Sequence, residues 1–215
     1  DVSRSNFRYR FKKLIRVFVT VYLAIMVLSF VLLLLAGMSP FDAINHAFSV
    51  VSTGGFSTRN LSIAAYDSPL IELILIVAMV VSSIHFGLIY ASFATRSAKI
   101  LKDPVTKFYI MTILVSTLIV VASLMLSGGE TNLFQALRNG SFAVVSTIST
   151  TGFAISDTSV WPILSILVML YISVQCGCSG STCGGVRSDR MLLIFKVVRV
   201  QLTRMAHPNA VVQVK

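Results

Sequence analysis

Two short segments rich in serine, threonine and glycine carry the residue types of this chain best suited to chemistry. They read Ser52, Thr53, Gly54, Gly55, Phe56 and Ser149, Thr150, Thr151, Gly152, Phe153. A cation that leaves water needs oxygen atoms in place of its hydration shell, and backbone carbonyls around an axis can supply them. Gly55 and Gly152 can adopt backbone angles closed to other residues, which lets successive carbonyls face one axis. The first Gly-Phe loop (residues 52–58) and the second Gly-Phe loop (residues 149–153) are therefore predicted to form part of a cation filter.

Plain polar connections with turn glycines are the alternative interpretation of these loops. Each loop, however, follows a short and moderately apolar helical stretch, at residues 41–48 and at residues 133–142. A membrane span takes about 20 apolar residues, so both stretches are too short to cross and are interpreted as re-entrant. Two aligned copies favour the filter, with Phe56 and Phe153 anchoring the loops in an apolar wall.

The composition of the chain predicts a membrane protein. Its 215 residues have a mean hydropathy of +0.85 and are 12% charged, against about 25% in soluble domains. Four apolar stretches approach the length of a span, at residues 14–36, 69–94, 108–126 and 160–174, and the last resumes at residues 191–200. The order span, short helix, loop, span thus occurs twice, and internal repetition is common in transport proteins. We expect an all-α membrane protein with a first unit at residues 1–103 and a second at residues 104–215.

The distribution of charge predicts the orientation. The net charge is +10, and 16 of the 18 basic residues flank the spans on one side, which the positive-inside rule makes cytoplasmic. The opposite side is acidic and would concentrate cations. Its charged residues are Arg59, Arg138, Asp42, Asp67, Glu72, Glu130 and Asp157. Motifs that read nucleic-acid grooves or stack bases are absent from the sequence, so nucleic acid is set aside as a partner.

A third segment, the glycine-rich loop (residues 175–187), interrupts the last apolar stretch. Its candidate functional residues are Gly177, Gly180, Ser181, Thr182, Gly184, Gly185 and Arg187. Glycine costs about 1 kcal/mol relative to alanine inside a helix, so this concentration predicts a broken helix. Broken helices in transporters line pathways, where freed carbonyls and small side chains meet ions or water. The alternative is a kink for close helix packing through small residues.

Taken together, these motifs resemble the Trk/Ktr/HKT potassium transporter superfamily. Residues 41–63, with the first Gly-Phe loop, are similar to its second filter. The second Gly-Phe loop, followed by Trp161 and Pro162, resembles the third filter of the Trk branch. The glycine-rich loop resembles the intramembrane gate loop of the third unit, and residues 207–211 resemble the segment beyond it. The similarity covers nearly the whole chain and preserves the order of the motifs.

The resemblance implies a potassium-channel-like pore of four span–pore–span repeats, of which this chain holds the second and third. It implies that K⁺ binds the filter carbonyls of residues 52–55 and 149–152 without a cofactor, and that the glycine-rich loop obstructs the pore until regulation moves it. The remaining repeats would come from a longer parent protein, as the lack of an initiator methionine at Asp1 suggests, or from a second copy. Further implied partners are a second protomer, cytoplasmic nucleotide-binding regulatory subunits and the lipid bilayer.

Some residues depart from the superfamily pattern or keep two interpretations. Cys183 stands where glycine is usual, and the positive charge is kept at Arg187 although Asp189 is unexpected. The cysteines are interpreted as small residues in a tight loop, with a soft-metal site as the alternative. They are Cys176, Cys178 and Cys183. His85, inside a span, is either functional or a partner in a helix–helix hydrogen bond. His46 is interpreted as packing or mouth polarity.

The sequence thus predicts a non-enzymatic, channel-like subunit for potassium uptake. It would lie in the cytoplasmic (inner) membrane with basic termini inside. A pore subunit of an ATP-driven potassium pump, a sodium-permeable member of the same superfamily and a helical scaffold without a pathway stay open. Selectivity for potassium over sodium is undecided because the first filter, which often decides it, is not in this chain. Coupling to protons or sodium is undecided as well.

Overall fold

The fold is mostly helical in the part of the chain that the computed structural model describes, which is residues 2–95, 99–127 and 132–206. The motif at residues 207–211, together with Arg96, Glu130 and Lys215, lies outside these ranges. The helices are α1 (Val2–Leu35), α2 (Pro40–Val51), α3 (Pro69–Ser82), α4 (Phe86–Thr95), α5 (Lys99–Lys102), α6 (Pro104–Leu126), α7 (Leu133–Ile148), α8 (Ile163–Val174) and α9 (Ser188–Ala206). Short 3₁₀ turns lie at Ser62–Tyr66 and Thr158–Val160, and the strands are β1 (Gln175–Cys176) and β2 (Val186–Arg187).

Two of the described helices, α1 over Leu14–Leu35 and α6 over Pro104–Leu126, are long and apolar enough to cross a membrane. The apolar part of α1 has 22 residues, a length of about 33 Å that matches a hydrocarbon core. Large apolar side chains along both helices face outward, such as Leu28 at 60% and Leu118 at 68% exposure. Apolar surface of this extent suits contact with lipid.

The apolar stretch expected to cross as one span, residues 69–94, is broken in the structure. It forms α3 and α4, which are bent by 96° at a short break and would make a third crossing only if counted together. The break at residues 83–85 contains neither proline nor glycine. Its freed carbonyls are instead satisfied by the glycine-rich loop: Cys178 donates its N–H to the Ser83 carbonyl at 2.8 Å, and the Thr182 hydroxyl donates to the Ser82 carbonyl at 3.3 Å. A contact distant in sequence therefore stabilises the bend.

Both expected re-entrant stretches form helices, and α2 begins at a recognisable signal. The Ser39 hydroxyl accepts from the Asp42 N–H and Pro40 is the first residue of α2, both typical of a helix start. Helices α6 and α7 pack closely, because a Cβ added to Gly140 would lie 3.0 Å from a methyl carbon of Val121. Because α2 and α7 carry much of the buried core, they hold the loops that follow them in fixed positions.

The helices form two groups of like order. Helix α1 packs against α2, α3 and α4, and α6 packs against α7, α8 and α9. The groups meet where α7 contacts α3. At this junction the Arg138 guanidinium donates to the Glu72 carboxylate at 2.6 and 2.7 Å, and to Asp67 at 2.9 Å. The two Gly-Phe loops are thereby held side by side.

Candidate functional site

The two Gly-Phe loops leave their helices with the same backbone conformation. The serines that cap α2 and α7 have φ, ψ of −77°, −6° at Ser52 and −76°, −6° at Ser149. The next residues, Thr53 and Thr150, are left-handed with φ of 54° and 56°. Both glycines that follow are left-handed too, with φ of 68° at Gly55 and 84° at Gly152. Threonine rarely adopts positive φ, so four such residues at matching positions are a structural repeat.

The hydrogen bonds that close each turn repeat as well. The N–H of Gly54 donates to the Ser49 carbonyl at 2.8 Å, and the N–H of Thr151 donates to the Ser146 carbonyl at 3.0 Å. The alignment of the two loops in the sequence therefore corresponds to equivalent positions in space.

The two loops meet at a glycine. A Cβ added to Gly55 would collide with the carbonyl oxygen of Thr151 in the second loop. A Cβ added to Gly152 would find nothing within 4 Å. Gly55 is therefore required both by its positive φ and by the approach of the second loop, whereas Gly152 borders open space.

The aromatic residues after the glycines have different surroundings. Phe153 is buried, and the Ser146 hydroxyl donates to its carbonyl at 2.7 Å. Phe56 is 81% exposed. The expectation that both rings anchor their loops therefore holds for Phe153 only. Phe153 lies at the junction of the two units, while the described residues put no partner over Phe56.

The glycine-rich loop runs between α8 and α9, where the sequence predicts a break. Its ends are held by the parallel pairing of Gln175 with Val186 and of Cys176 with Arg187. Gly180 has a φ of 77°, and its carbonyl accepts from the N–H of Phe86 at the start of α4 at 3.0 Å. The loop therefore occupies the bend between α3 and α4.

The middle of the glycine-rich loop also contacts both Gly-Phe loops. The Thr53 hydroxyl donates to the Ser52 carbonyl of its own loop at 2.7 Å and also lies 3.2 Å from the carbonyl of Thr182. The N–H of Gly184 donates to the Thr150 hydroxyl at 3.2 Å. The thiol of Cys183 lies 3.1 Å from the Ser149 carbonyl and 3.1 Å from the Ser83 hydroxyl. The three segments named from the sequence thus form one hydrogen-bonded cluster, joined through residues 182–184.

The cysteines are free thiols inside this cluster. All three are buried, and the described residues contain no group of three or more His, Cys, Asp or Glu side chains that could hold a metal ion. The geometry fits their interpretation as small side chains in a tight loop.

His85 caps the helix after the break. Its ring Nδ1 accepts from the N–H of Gly87 at 2.9 Å, in the first turn of α4. A Cβ on Gly180 would lie 3.0 Å from His85 Nε2, so the glycine-rich loop passes directly beside the ring. The bond expected as one alternative, to a neighbouring helix, is replaced by this local cap.

The acidic residues of the opposite side are mostly engaged in ion pairs, which the sequence did not indicate. Asp42 and Glu72 are 5% and 3% exposed. Arg59 pairs with Asp42 at 3.3 Å, while Arg138 bridges Glu72 and Asp67. The Thr58 hydroxyl, which donates to Asp42 at 2.6 Å, lowers the pKa of this carboxyl to about 2. Because these carboxylates are buried and paired, their first role is to stabilise the structure, and attraction of cations is secondary.

Comparison with known proteins identifies relatives of this chain. Residues 9–215 match the family TrkH, described as Cation transport protein. The chain is 36% identical to the Trk system potassium uptake protein TrkH of Salmonella typhimurium, over 91% of this chain and 41% of the relative. It is 34% identical to TrkG of Escherichia coli K12, over 84% of this chain and 37% of the relative.

A solved structure agrees with the sequence comparison. The crystal structure of the potassium transporter TrkH from Vibrio parahaemolyticus matches with a TM-score of 0.88 and 34% identity, over 91% of this chain and 42% of that chain. The chain therefore spans about two-fifths of the length of its relatives. The superfamily resemblance drawn from the loops is confirmed, as is a helical membrane protein. This chain belongs to the TrkH family of cation transport proteins.

Proposed function

We propose that this chain forms two adjacent span–pore–span units, residues 1–103 and 104–215, of a channel-like potassium uptake protein. The observation that carries the proposal is the pair of Gly-Phe loops, which share one backbone conformation, meet at Gly55 and both hydrogen-bond the glycine-rich loop. The named relatives are potassium uptake proteins, and two-fifths of such a protein supplies part of its pathway.

In this proposal the carbonyls of residues 52–55 and 149–152 replace the hydration shell of K⁺. Residues with positive φ alter the direction in which the neighbouring carbonyl groups point. In this proposal, the positive φ values at matching positions turn consecutive carbonyls toward the pathway. Open space beside Gly152 is compatible with a pathway or with a further unit there.

The glycine-rich loop is the proposed gate. It contacts both Gly-Phe loops through residues 182–184, so it cannot move away without losing those hydrogen bonds. A loop held by a few hydrogen bonds can be displaced by a conformational change of modest free energy. Opening would also uncover the broken end of α3, which the loop now satisfies.

The rest of the assembly follows from the length of the chain and its charge. The remaining repeats would close the filter, a second protomer and a cytoplasmic nucleotide-binding subunit would regulate it, and the basic side would face the cytoplasm of an inner membrane. The chain is proposed to transport ions without catalysing a reaction.

Rubidium flux into proteoliposomes tests this proposal in the full-length parent protein. The variant is Gly152→Ser, and its control is Gly37→Ser, because Gly37 also has a positive φ of 93° and open surroundings but follows α1. We expect potassium to block flux better than sodium in the wild type and in Gly37→Ser, and this preference to fall in Gly152→Ser. Flux that is absent under every nucleotide condition, or that is indifferent to Gly152, would contradict the proposal and leave the pump-subunit or scaffold interpretation.

A further inference from the structure

His46 joins the two Gly-Phe loops from inside α2. The ring is fully buried, with Nδ1 2.7 Å from the carbonyl oxygen of Asp42 and Nε2 2.9 Å from the hydroxyl oxygen of Ser57. A carbonyl can only accept, so Nδ1 carries a proton, and the tautomer with its proton on Nδ1 alone lets Nε2 accept from the Ser57 hydroxyl. The same hydroxyl oxygen accepts from the N–H of Arg59 at 3.2 Å. These hydrogen bonds join residues 57–59, which follow the glycines of the first loop, to helix α2.

The same ring also contacts Phe153 of the second loop and Tyr66 of the first unit. The ring centroid of His46 lies 5.8 Å from that of Phe153, with 31° between the planes. Tyr66 meets the ring edge-on at 5.6 Å and 87°. Phe153 directly follows Gly152, so a displacement of the His46 ring would press on the glycine of the second loop as well as on Ser57 of the first.

The second unit has no equivalent of this arrangement. The register that aligns Ser52 with Ser149 puts Ala143 at the position of His46 and Ala154 at the position of Ser57. There the loop is held by the Ser146 hydroxyl on the Phe153 carbonyl. The equivalent hydroxyl in the first unit, that of Ser49, is buried and has no hydrogen-bond partner among the described residues. The first loop therefore depends on the histidine where the second depends on a serine.

We propose that His46 is a positioning residue that fixes the spacing between the two Gly-Phe loops and thereby sets the preference for potassium over sodium. The proposal rests on the filter function proposed above. Selectivity in carbonyl filters depends on the cavity that the oxygens form and on how freely they move. One side chain that holds both loops controls the distance between them, whereas a residue that holds one loop does not.

The test varies each hydrogen bond separately in the full-length parent protein. His46→Asn keeps a donor near the Asp42 carbonyl and loses the bond to Ser57, while Ser57→Ala removes the hydroxyl and leaves the ring. His46→Gln puts an amide oxygen where Nε2 lies and can still accept from Ser57. The control is Ser141→Ala, whose hydroxyl bonds the Arg138 carbonyl of its own helix at 3.3 Å.

Rubidium flux is measured with sodium and with potassium as competitor, together with the thermal midpoint of each variant. We expect His46→Asn and Ser57→Ala to improve competition by sodium relative to potassium about fivefold, the factor that one lost hydrogen bond represents. The double variant should not exceed the single ones, because both remove the same bond. Ser141→Ala should stay near the wild-type ratio, whereas His46→Gln, which keeps an acceptor for Ser57 but loses the ring that packs on Phe153, should fall between the wild type and His46→Asn. A purely structural histidine would lower the thermal midpoint and leave the ratio unchanged.

The results separate this proposal from the filter itself. If Gly152→Ser changes the ratio but a well-folded Ser57→Ala does not, His46 does not position the filter, and the filter stands. If neither changes the ratio, the filter proposal fails and the positioning role fails with it. Should His46→Asn not fold, Ser57→Ala alone decides, since it leaves the core packing of the ring in place.

Discussion

Thr53 and Thr150 occupy the same left-handed position in their two loops, and their hydroxyls hydrogen-bond the backbone of one three-residue piece of the glycine-rich loop. Thr53 reaches the carbonyl of Thr182 and Thr150 accepts from the N–H of Gly184, both at 3.2 Å. Equivalent side chains of the two repeats therefore take complementary roles toward a single element. The contribution of these hydrogen bonds to the stability of the closed state of the proposed gate can therefore be measured.

Removing these hydroxyls should weaken the closed state. Valine keeps the branched shape of threonine, so Thr53→Val and Thr150→Val remove chiefly the bond, worth about 1 kcal/mol. Rubidium flux in the absence of activating nucleotide should then rise about fivefold for Thr150→Val. The rise should be smaller for Thr53→Val, because the Thr53 hydroxyl also donates to the Ser52 carbonyl at 2.7 Å. The matched control is Thr203→Val on α9, whose hydroxyl bonds the Arg199 carbonyl of its own helix at 2.9 Å. Equal basal flux in all three variants would show that the glycine-rich loop does not gate through these contacts.

Two glycines of the glycine-rich loop should respond differently to alanine. A Cβ on Gly177 would lie 2.6 Å from the Ser83 carbonyl, which would force the loop away from the bend between α3 and α4. We expect Gly177→Ala to cost about 1–3 kcal/mol and to lower the thermal midpoint by several degrees. Gly184 has nothing within 4 Å, so the midpoint of Gly184→Ala should stay near that of the wild type. Circular dichroism in detergent measures both, and equal midpoints would mean that Gly177 does not face Ser83.

The ion pairs of Arg138 offer a comparison between a buried and an exposed partner. The side chain of Glu72 is 4% exposed and that of Asp67 is 88% exposed. Glu72→Gln leaves Arg138 without its buried partner and should cost about 2 kcal/mol, less than a fully buried pair because the arginine is itself 24% exposed. Asp67→Asn should change the free energy of unfolding by at most about 0.5 kcal/mol.

Thermal unfolding of the two variants at matched salt decides between these expectations. Raising the ionic strength should reduce the change in the free energy of unfolding caused by Asp67→Asn, because salt screens exposed ion pairs most. The change caused by Glu72→Gln should stay nearly the same. A larger loss for Asp67→Asn would mean that the junction between α3 and α7 is held at its exposed rim.

Phe56 and Phe153 test whether further repeats complete the structure. Truncation of the buried Phe153 to alanine should cost about 3 kcal/mol or more. If another unit covers Phe56 in the full-length parent protein, Phe56→Ala should cost a similar amount there, although the ring is 81% exposed in this chain. A near-neutral Phe56→Ala would place that ring against lipid or water. Thermal midpoints of the full-length variants supply the measurement.

The sequence predicts most of what local pattern controls. The short helices after residues 40 and 132 begin where expected, and the break at residues 175–187 coincides with the segment from β1 to β2. Glycine content, loop composition and repetition carry those predictions. The site residues themselves stay proposals, because the family match identifies the protein family and leaves their roles to experiment.

Features that depend on contacts between distant segments were missed. Nothing in Ser82, Ser83, Ile84 and His85 breaks a helix by propensity alone, and the bend exists because the glycine-rich loop supplies partners for the freed carbonyls. The burial of Glu72 likewise depends on Arg138, a residue of the other unit. The sequence indicates only packing or mouth polarity for His46, because two of its partners, Ser57 and Phe153, lie in loops whose relative position no local pattern predicts.

The contact between Gly55 and Thr151 is asymmetric, because the glycine of the first loop meets the residue that precedes the glycine of the second loop. Unlike surfaces that meet in this way form a head-to-tail junction, and such junctions close into a ring only if the rotation between units allows it. At this junction the contact joins unlike positions of the repeat, Gly55 and Thr151. Gly54 and Thr151 share a position in the repeat and can therefore differ, because only Thr151 faces the glycine of the other loop.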